Sequence, residues 1–287
     1  MGVAQNVDGA FSNTPSNTHM YSICMATMNA SVTLGRAIDS ILIQDTDDYE
    51  IIVSDGGSTD GTLEMIGRYG EKIHCISEPD SGIADAWNKA VRRSRGKWLY
   101  FLGADDMLAS SHVLSDVAVR LEQIDSLIAY GDVLCVNASG REVSRLAPEW
   151  DADSFRRCGM IFSHQGVFHH RKLFESYGAF SSKFSIALDY EFLLRYLKDN
   201  DAIHMADIIV AHAQLGGKST KDVNMLDAFL ENRLAQRMHG IQRNSITFYR
   251  ALAGAILKRG IVRLVGEKWG GQWIEAIRPM VWRPRRG

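Results

Sequence analysis

Short apolar runs alternate with helix-like segments through the first hundred residues, and this alternation constrains the fold more than any other feature. The strand-like runs recur at intervals of roughly 25 residues, at residues 21–26, 49–53, 72–77 and 98–102. Between them, apolar residues recur at helical spacing, as Leu34, Ile38 and Ile41 do. Strands separated by helices pair in parallel through right-handed crossovers. The pattern therefore predicts an α/β fold with a mainly parallel, Rossmann-like sheet and helices on both faces.

Composition excludes several classes of protein. The 287 residues are 46% hydrophobic, which is enough for a substantial core. The four cysteines are far apart and form no CxxC pair, so a disulfide framework or a structural zinc site is not expected. No apolar stretch approaches the roughly 18 residues that span a bilayer. Residues 1–19 are polar, lack the charged and apolar regions of a signal peptide, and are expected to form a loose tail. We therefore expect a cytoplasmic protein.

Charge is distributed unevenly along the chain. Residues 240–287 contain ten Lys or Arg and two Glu, a net charge of +8, so the preceding residues carry −10 of the total of −2. The same region has apolar residues at helical spacing and three tryptophans. A basic amphipathic helix of this kind is typical of binding to an anionic membrane surface. A helix packed on its own domain, with a solvated basic face, explains the pattern equally well. Nucleic acid is not expected as a partner, because no nucleic-acid-binding motif accompanies the charge.

Acidic residues follow three consecutive predicted strands. Asp55 follows the second strand, Asp85 follows the third, and the pair Asp105 and Asp106 follows the fourth. An isolated acidic turn is common and needs no functional explanation. Because parallel strands end at the same edge of a sheet, three such turns predict a ligand site there, and carboxylates suit a nucleoside and a divalent cation.

Five motifs occur in an order that resembles glycosyltransferase family 2. They are SICMATMN, DGGSTDGT, DSGIADAWNKA, FLGADD and SHQGVFHHRKLFESYGAFSSKFSIALDYEFLLRY. The resemblance implies a GT-A fold over residues 20–220. The charge and apolar spacing described above predict a basic amphipathic helical region over residues 221–287. The resemblance further implies an inverting enzyme that moves a sugar from a nucleotide-sugar, often a UDP-sugar, to an acceptor hydroxyl. A glycan or a lipid-linked sugar would be the acceptor, in the assembly of a polysaccharide or lipopolysaccharide.

The resemblance also implies roles for individual residues in donor binding. The residues matching the nucleotide pocket are Ala26, Thr27, Asp55, Asp85, Ala104 and Asp105. Asp105 and Asp106 match the turn that holds Mn²⁺ or Mg²⁺ on the diphosphate. The family turn usually begins with a further Asp, whereas this chain has Gly103 there. Mg²⁺ commonly uses only one or two carboxylates with phosphate oxygens and water, so this departure is compatible with metal binding.

Three further groups of candidate site residues lie in the second half of the chain. Asp189 shares a helical face with Phe192, Leu193 and Tyr196, and it matches the catalytic base; a first-turn Asp satisfied by backbone amides is the alternative. Glu191 and Arg195 are expected to form an exposed i,i+4 ion pair. His164 and Gln165 match a family region near the acceptor and donor sugar. Lys218 and Ser219 lie in a loop that is expected to fold over the diphosphate.

Two rival functions share the same predicted fold. A nucleotidyltransferase that makes nucleotide-sugars usually carries a basic, glycine-rich loop near the start, whereas here no Lys follows Ala26 before Lys72. A non-catalytic nucleotide- or carbohydrate-binding module is favoured only by the departure at Gly103.

Overall fold

The structure is a computed structural model that describes residues 19–137, 139–215 and 225–265. The strands in these residues are β1 (His19–Thr27), β2 (Tyr49–Asp55), β3 (His74–Ser77), β4 (Gly96–Phe101), β5 (Met107–Leu108), β6 (Ile128–Val136), β7 (Glu142–Leu146), β8 (Val167–His170) and β9 (Ile203–Gln214). The helices are α1 (Leu34–Leu42), α2 (Thr62–Gly67), α3 (Ile83–Arg93), α4 (Val113–Leu121), α5 (Ala152–Cys158), α6 (Lys172–Tyr177), α7 (Leu188–Leu197), α8 (Met225–Met238) and α9 (Ile246–Val265).

The strands form one sheet, in the order β3-β2-β1-β4-β8-β6-β9-β5, with β7 paired to β6. The first four strands are parallel, and Thr27 at the end of β1 lies opposite Asp55 at the end of β2. The predicted parallel arrangement of the first hundred residues is thus confirmed. β3 is shorter than expected, because residues 70–72 form a 3₁₀ turn.

The second half of the sheet is mixed. β8 runs antiparallel to both of its neighbours, β4 and β6, while β6 and β9 are parallel. The pattern of apolar runs in the first hundred residues did not predict that β8 inserts between β4 and β6. This insertion brings the turn before β8 to the edge where β4 ends, next to Gly103 and the two aspartates.

Two apolar layers cover the sheet because successive side chains of a strand face opposite sides. Tyr21, Ile23 and Met25 of β1 pack with α1 and α4 on one face. Cys24 of β1 and Phe101 of β4 pack on the other face, with α3, α6 and α7. Strands buried on both faces read as continuous apolar runs, which is why β1, β2 and β4 were predictable.

The C-terminal helices pack against the sheet domain. Ala235 of α8 is fully buried in the core layer that contains α7. In α9, Phe248 and Ala255 are buried, while Ile256 and Leu257 are more than half exposed. Among the described residues, no helix is both long and apolar enough to cross a bilayer.

Candidate active site

Side-chain hydrogen bonds join the loops that follow β1 and β2. Asn29 has a φ of 53°, a left-handed conformation that Asn tolerates better than most residues. Its Oδ1 accepts from the Thr59 amide at 2.9 Å, and its own amide donates to Ser58 Oγ at 2.7 Å. The Ala30 amide donates to Thr62 Oγ1 at 2.9 Å. Both loops are therefore held in one arrangement at the edge where β1 and β2 end.

Asp55 organises the loop after β2. Its Oδ2 accepts from the amides of Gly57 and Ser58, both at 3.0 Å, and from Ser77 Oγ at 2.8 Å. Its Oδ1 accepts from Ser58 Oγ at 2.5 Å. Burial opposes ionisation of Asp55, but these hydrogen bonds outweigh it and lower the pKa of the carboxyl below its ordinary value. Since Oδ2 is saturated, the acceptor capacity left for a ligand lies on Oδ1.

The Thr27 hydroxyl, beside Asp55, is free to bind a ligand. The Gly56 amide donates to the Thr27 carbonyl at 2.9 Å, which closes the β1 and β2 ends together. Thr27 is 5% exposed, and its Oγ1 has no hydrogen-bond partner among the described residues. A buried hydroxyl without a partner is uncommon and suits a ligand contact. Ala26, the preceding residue, is partly buried.

The Asp85 carboxylate stabilises the start of α3. Its Oδ2 accepts from the Ser81 amide at 3.1 Å and lies 3.5 Å from Lys89 Nζ. Partial burial opposes ionisation, but these two partners lower the pKa of Asp85. Asn88, one turn along the helix, clamps Phe180 through two 2.9 Å hydrogen bonds to the backbone N–H and C=O. α3 therefore holds part of the chain that leads to α7.

The two aspartates after β4 have different surroundings. Asp105 is exposed, whereas Asp106 is 3% exposed and accepts from the Gln214 amide at 2.9 Å. Burial, opposed by the Gln214 amide and reinforced by the charge of Asp105, raises the pKa of Asp106 to about 6. A Cβ on Gly103 would collide with Asp106 Oδ2, so the glycine leaves room for the buried carboxylate. Asp106 thus stabilises the turn from the buried side. Asp105 is exposed to solvent, beside the partly buried Ala104.

The residues present fit a cation site with few protein ligands. Within residues 19–137, 139–215 and 225–265, no three His, Cys, Asp or Glu side chains cluster as a metal cage. Asp105 is an exposed carboxylate at a strand end, and such a single ligand completed by phosphate oxygens and water is typical of Mg²⁺.

Asp189 lies in the first turn of α7 with only part of its carboxylate committed. Its Oδ1 accepts from the Tyr190 amide at 2.7 Å, and its Oδ2 makes no hydrogen bond to the described residues. Burial is the main cause that raises the pKa of Asp189 to about 6, and the charge of Glu231 adds to it. The expected inward face is confirmed, because Phe192, Leu193 and Tyr196 are buried.

The ion pair of Glu191 and Arg195 is buried, so the expectation of an exposed pair was wrong. Glu191 is 2% exposed, and Arg195 Nε donates to its Oε1 at 3.0 Å. Nε2 of His239, the residue that follows α8, lies 2.9 Å from the same Oε1. Burial opposes ionisation, but His239 and Arg195 lower the pKa of Glu191. The sequence pattern of α7 did not indicate this, because α8, which covers Glu191, lies in a distant part of the chain.

His164 and Gln165 lie in the 3₁₀ turn before β8. The His164 ring stacks on Trp87 of α3 with centroids 4.9 Å apart, and its Nε2 has no partner among the described residues. Burial lowers the pKa of His164 to about 3, so the ring is neutral at physiological pH. The Gln165 carbonyl accepts from Tyr100 Oη at 2.6 Å, and its side-chain Oε1 accepts from Ser163 Oγ at 2.5 Å. Lys218 and Ser219 lie outside the described residues.

One residue near the site was missed by the sequence analysis. Glu231 of α8 binds the turn that leads into α7, four residues or fewer before Asp189. No spacing signal connects a glutamate in α8 with that turn, because the contact spans 46 residues of sequence at Ser185.

Comparisons with known sequences identify the family of the chain. A family model described as Glycosyl transferase family 2 matches residues 22–176, more than half of the chain. The chain is 32% identical over 212 residues to a PGL/p-HBAD biosynthesis glycosyltransferase of Mycobacterium bovis, covering 71% of this chain and 81% of that protein. It is 28% identical over 241 residues to the hyaluronan synthase of Pasteurella multocida, covering 80% of this chain and 24% of the synthase.

Solved structures share the fold. S. aureus TarS (residues 1–349) in complex with UDP superposes with a TM-score of 0.61 at 17% identity, covering 90% of this chain and 78% of that one. The mannosyltransferase PcManGT from Pyrobaculum calidifontis, in complex with GDP-Man and Mn²⁺, gives 0.59 at 19% identity, covering 94% and 83%. These likenesses confirm the predicted GT-A architecture.

Proposed function

Because the chain belongs to glycosyl transferase family 2 and is therefore a glycosyltransferase, we propose that it transfers a sugar from a nucleotide-sugar to an acceptor hydroxyl with inversion. The observation that carries this proposal is the partly uncommitted Asp189 carboxylate at the start of α7, whose pKa of about 6 suits a general base near neutral pH. The proposal rests on a base of this kind because a single displacement requires one.

Asp189 removes the proton of the acceptor hydroxyl in this mechanism. The acceptor oxygen forms a bond to the anomeric carbon from the face opposite the leaving group, and the bond from that carbon to the diphosphate oxygen breaks. The nucleoside diphosphate leaves with the bonding electron pair, and the proton remains on Asp189. One displacement inverts the anomeric centre, and no covalent enzyme intermediate forms.

The donor side of the site is proposed to lie at the ends of β1, β2 and β4. Thr27 Oγ1 and Asp55 Oδ1 retain hydrogen-bonding capacity there, beside Ala26, and Asp85 is proposed to line the pocket while it supports α3. TarS structures contain UDP or UDP-GlcNAc, and PcManGT contains GDP-Man. We take a UDP-sugar as the donor.

Asp105 is proposed to hold Mn²⁺ or Mg²⁺ beside Ala104, and Asp106 is proposed to shape that turn rather than to complete a cage. When bound, the cation would neutralise charge on the departing diphosphate. Its support here is the exposed Asp105 carboxylate and the Mn²⁺ of the mannosyltransferase structure. Lys218 and Ser219 are proposed to add diphosphate contacts.

The acceptor is proposed to be a glycan or a lipid-linked sugar. The support for this is position: His164, buried against Trp87, and the neighbouring Gln165 lie in the turn before β8, next to the end of β4. The named relatives act in PGL/p-HBAD biosynthesis and as hyaluronan and chondroitin synthases.

An anionic membrane surface is proposed as a further partner, with the protein at the cytoplasmic face. The region from residue 240 onward carries the +8 charge. In α8, Leu230, Leu234 and Met238 are spaced four apart and are 55%, 47% and 49% exposed, so an apolar stripe precedes the basic region.

The function is tested by incubating the purified protein with a panel of nucleotide-sugars and Mn²⁺ and measuring slow release of nucleoside diphosphate. We expect release with one donor, retained nucleotide binding in Asp189→Asn, and loss of release in that variant. A pyrophosphate product would instead indicate a nucleotidyltransferase. Nucleotide binding without release from any donor would indicate a non-catalytic module.

A further inference from the structure

The turn that leads into α7 is held by a carboxylate from α8. Glu231 Oε2 accepts from the amides of Ile186 and Ala187, both at 2.8 Å, and from the Ser185 amide at 3.1 Å. Glu231 Oε1 accepts from Ser185 Oγ at 2.8 Å. Three consecutive amides pointing at one anion form a strong, charge-assisted arrangement. The backbone immediately before Asp189 is therefore fixed by a residue that is distant in sequence.

The sequence before α7 cannot hold this turn by itself. The N-cap position of α7 is Ala187, which has no side-chain acceptor. Asp189 bonds only the Tyr190 amide, so the preceding amides depend on Glu231. The Asp189 Oδ2 has no hydrogen-bond partner among the described residues.

α8 stays in place through contacts that do not involve Glu231. Gln236 Nε2 donates to Tyr190 Oη at 3.1 Å, and His239 bonds Glu191. Ala235 is fully buried against the same core. A substitution at Glu231 is thus expected to leave α8 docked and to act on the turn alone.

We infer that Glu231 is a positioning residue for Asp189: its carboxylate holds the turn of residues 185–187 so that the Asp189 carboxylate faces the acceptor. The inference rests on the proposed role of Asp189. It extends the catalytic unit beyond residue 220, into α8.

The charged groups that face Asp189 affect its pKa, which can be measured. Glu231 is the negative group from α8 that acts on it, and its charge raises the pKa of Asp189 in addition to burial. Glu191, on the same helix as Asp189, is neutralised by Arg195 and His239. Removing the charge of Glu231 is therefore expected to lower the pKa of Asp189. Loosening of the turn would expose the base and lower the same pKa, so Glu231→Asp, which keeps the charge, is needed to separate the two effects.

The test compares Glu231→Gln with Asp227→Asn in donor turnover. Asp227 is one turn earlier on α8 and pairs with Arg259 of α9, so its substitution removes the same charge without touching the turn. We expect Glu231→Gln to lower kcat by roughly ten- to hundredfold, as misplaced catalytic groups do. The KM for the donor should stay unchanged, and the acid limb of the kcat/KM profile should move to lower pH. Asp227→Asn should match the parent in all three.

Glu231→Asp tests the length of the side chain separately from its negative charge. It keeps the negative charge but is one methylene shorter, so kcat should fall while the acid limb stays closer to that of the parent. An active parent together with Glu231→Gln of unchanged kcat and pH profile would overturn the inference and leave the proposed function intact. A parent that turns over no donor would contradict the proposed function itself. Failure of both Glu231 variants to fold would also overturn the inference, because Glu231 would then support the whole domain.

Discussion

Single residues in the candidate site differ in how many of their hydrogen-bonding positions are already occupied. Asp55 and Asp106 are engaged by backbone amides, whereas Asp105 is exposed and Asp189 has one oxygen without a described partner. The first two shape loops, and the last two are available for chemistry. This distinction leads to two predictions at the residue scale.

Asp105→Ala is expected to remove the metal dependence of nucleotide binding. If Asp105 supplies the protein ligand, UDP should bind the parent more tightly with Mn²⁺ than with EDTA, and the variant should lose that gain by about tenfold or more. Isothermal calorimetry measures both affinities. Asp106→Asn is the matched control, since an amide oxygen can still accept from the Gln214 amide. A metal-dependent gain that survives in Asp105→Ala would assign the cation to other groups.

Asp189→Asn is expected to lose turnover by about 10² to 10⁴, while nucleotide affinity measured by calorimetry stays close to that of the parent. The parent should show a kcat/KM profile whose acid limb lies near pH 6, because protonation of Asp189 removes the base. The folded-state pKa is raised, so the ionised group opposes folding as pH rises through 6. At pH 8 the variant should melt at or above the parent. Turnover within a few-fold of the parent would transfer the role to another acid.

At the scale of secondary-structure elements, α7 and α8 act as a pair. Glu231 holds the turn before α7, and the buried group of Glu191, Arg195 and His239 joins the two helices further along. Arg195 Nη1 also donates to the carbonyls of Tyr177 and Ala179, which ties the group to the segment after α6. The ionic group therefore connects α7, the end of α8 and the segment after α6.

Glu191→Gln is expected to destabilise the fold by about 3 kcal/mol, the usual cost of leaving buried charges without their partner. Glu64→Gln is the matched control: Glu64 and Arg68 form the same i,i+4 pair, but their side chains are 80% and 72% exposed, against 3% and 16% for Glu191 and Arg195. It should cost under about 0.5 kcal/mol. Urea denaturation measures both.

The effect of Glu191→Gln should depend on pH in a defined direction. The folded-state pKa of Glu191 is lowered, so its contribution is complete above the ordinary value of 4.5 and is lost as pH falls through the folded-state value. The gap between parent and variant should therefore close in acid. A gap that is equal at pH 7 and in acid would show that the carboxylate acts by packing alone.

The sequence predicted the elements whose contacts are local or repeat with a fixed period. β1, β2 and β4 were visible as apolar runs, and the aspartates at their ends could be placed at one edge of the sheet. The antiparallel insertion of β8 was not predicted, because strand order depends on pairing between distant segments. The burial of Glu191 and the role of Glu231 were missed for the same reason: α8 supplies both contacts.

At the scale of the whole molecule, charge and apolar exposure are concentrated toward the C-terminal end. The region from residue 240 is basic, and the preceding helix exposes Leu230, Leu234 and Met238. The remaining residues are acidic overall. This uneven charge is the basis of the proposed binding to an anionic surface.

Binding to anionic vesicles is therefore expected at low salt and should weaken as salt rises. Replacing Arg283, Arg285 and Arg286 by Gln should lower the partition coefficient by about a hundredfold, since each cation near such a surface contributes about 1 kcal/mol. Flotation with phosphatidylserine-containing vesicles measures this, and phosphatidylcholine vesicles serve as the control. Absence of binding at low salt would favour a packed helix with a solvated basic face.

The contact between Glu231 and the turn before α7 has a consequence for the order in which the enzyme is completed during synthesis. Apart from Lys218 and Ser219, the residues proposed to bind the donor end at Asp106; the base follows at Asp189, and Glu231 is made later still. At roughly 5–20 residues per second, several seconds separate Asp106 from Glu231 on the ribosome. The loops proposed to hold the nucleoside are therefore made first, and the turn before the base is fixed only when α8 has emerged.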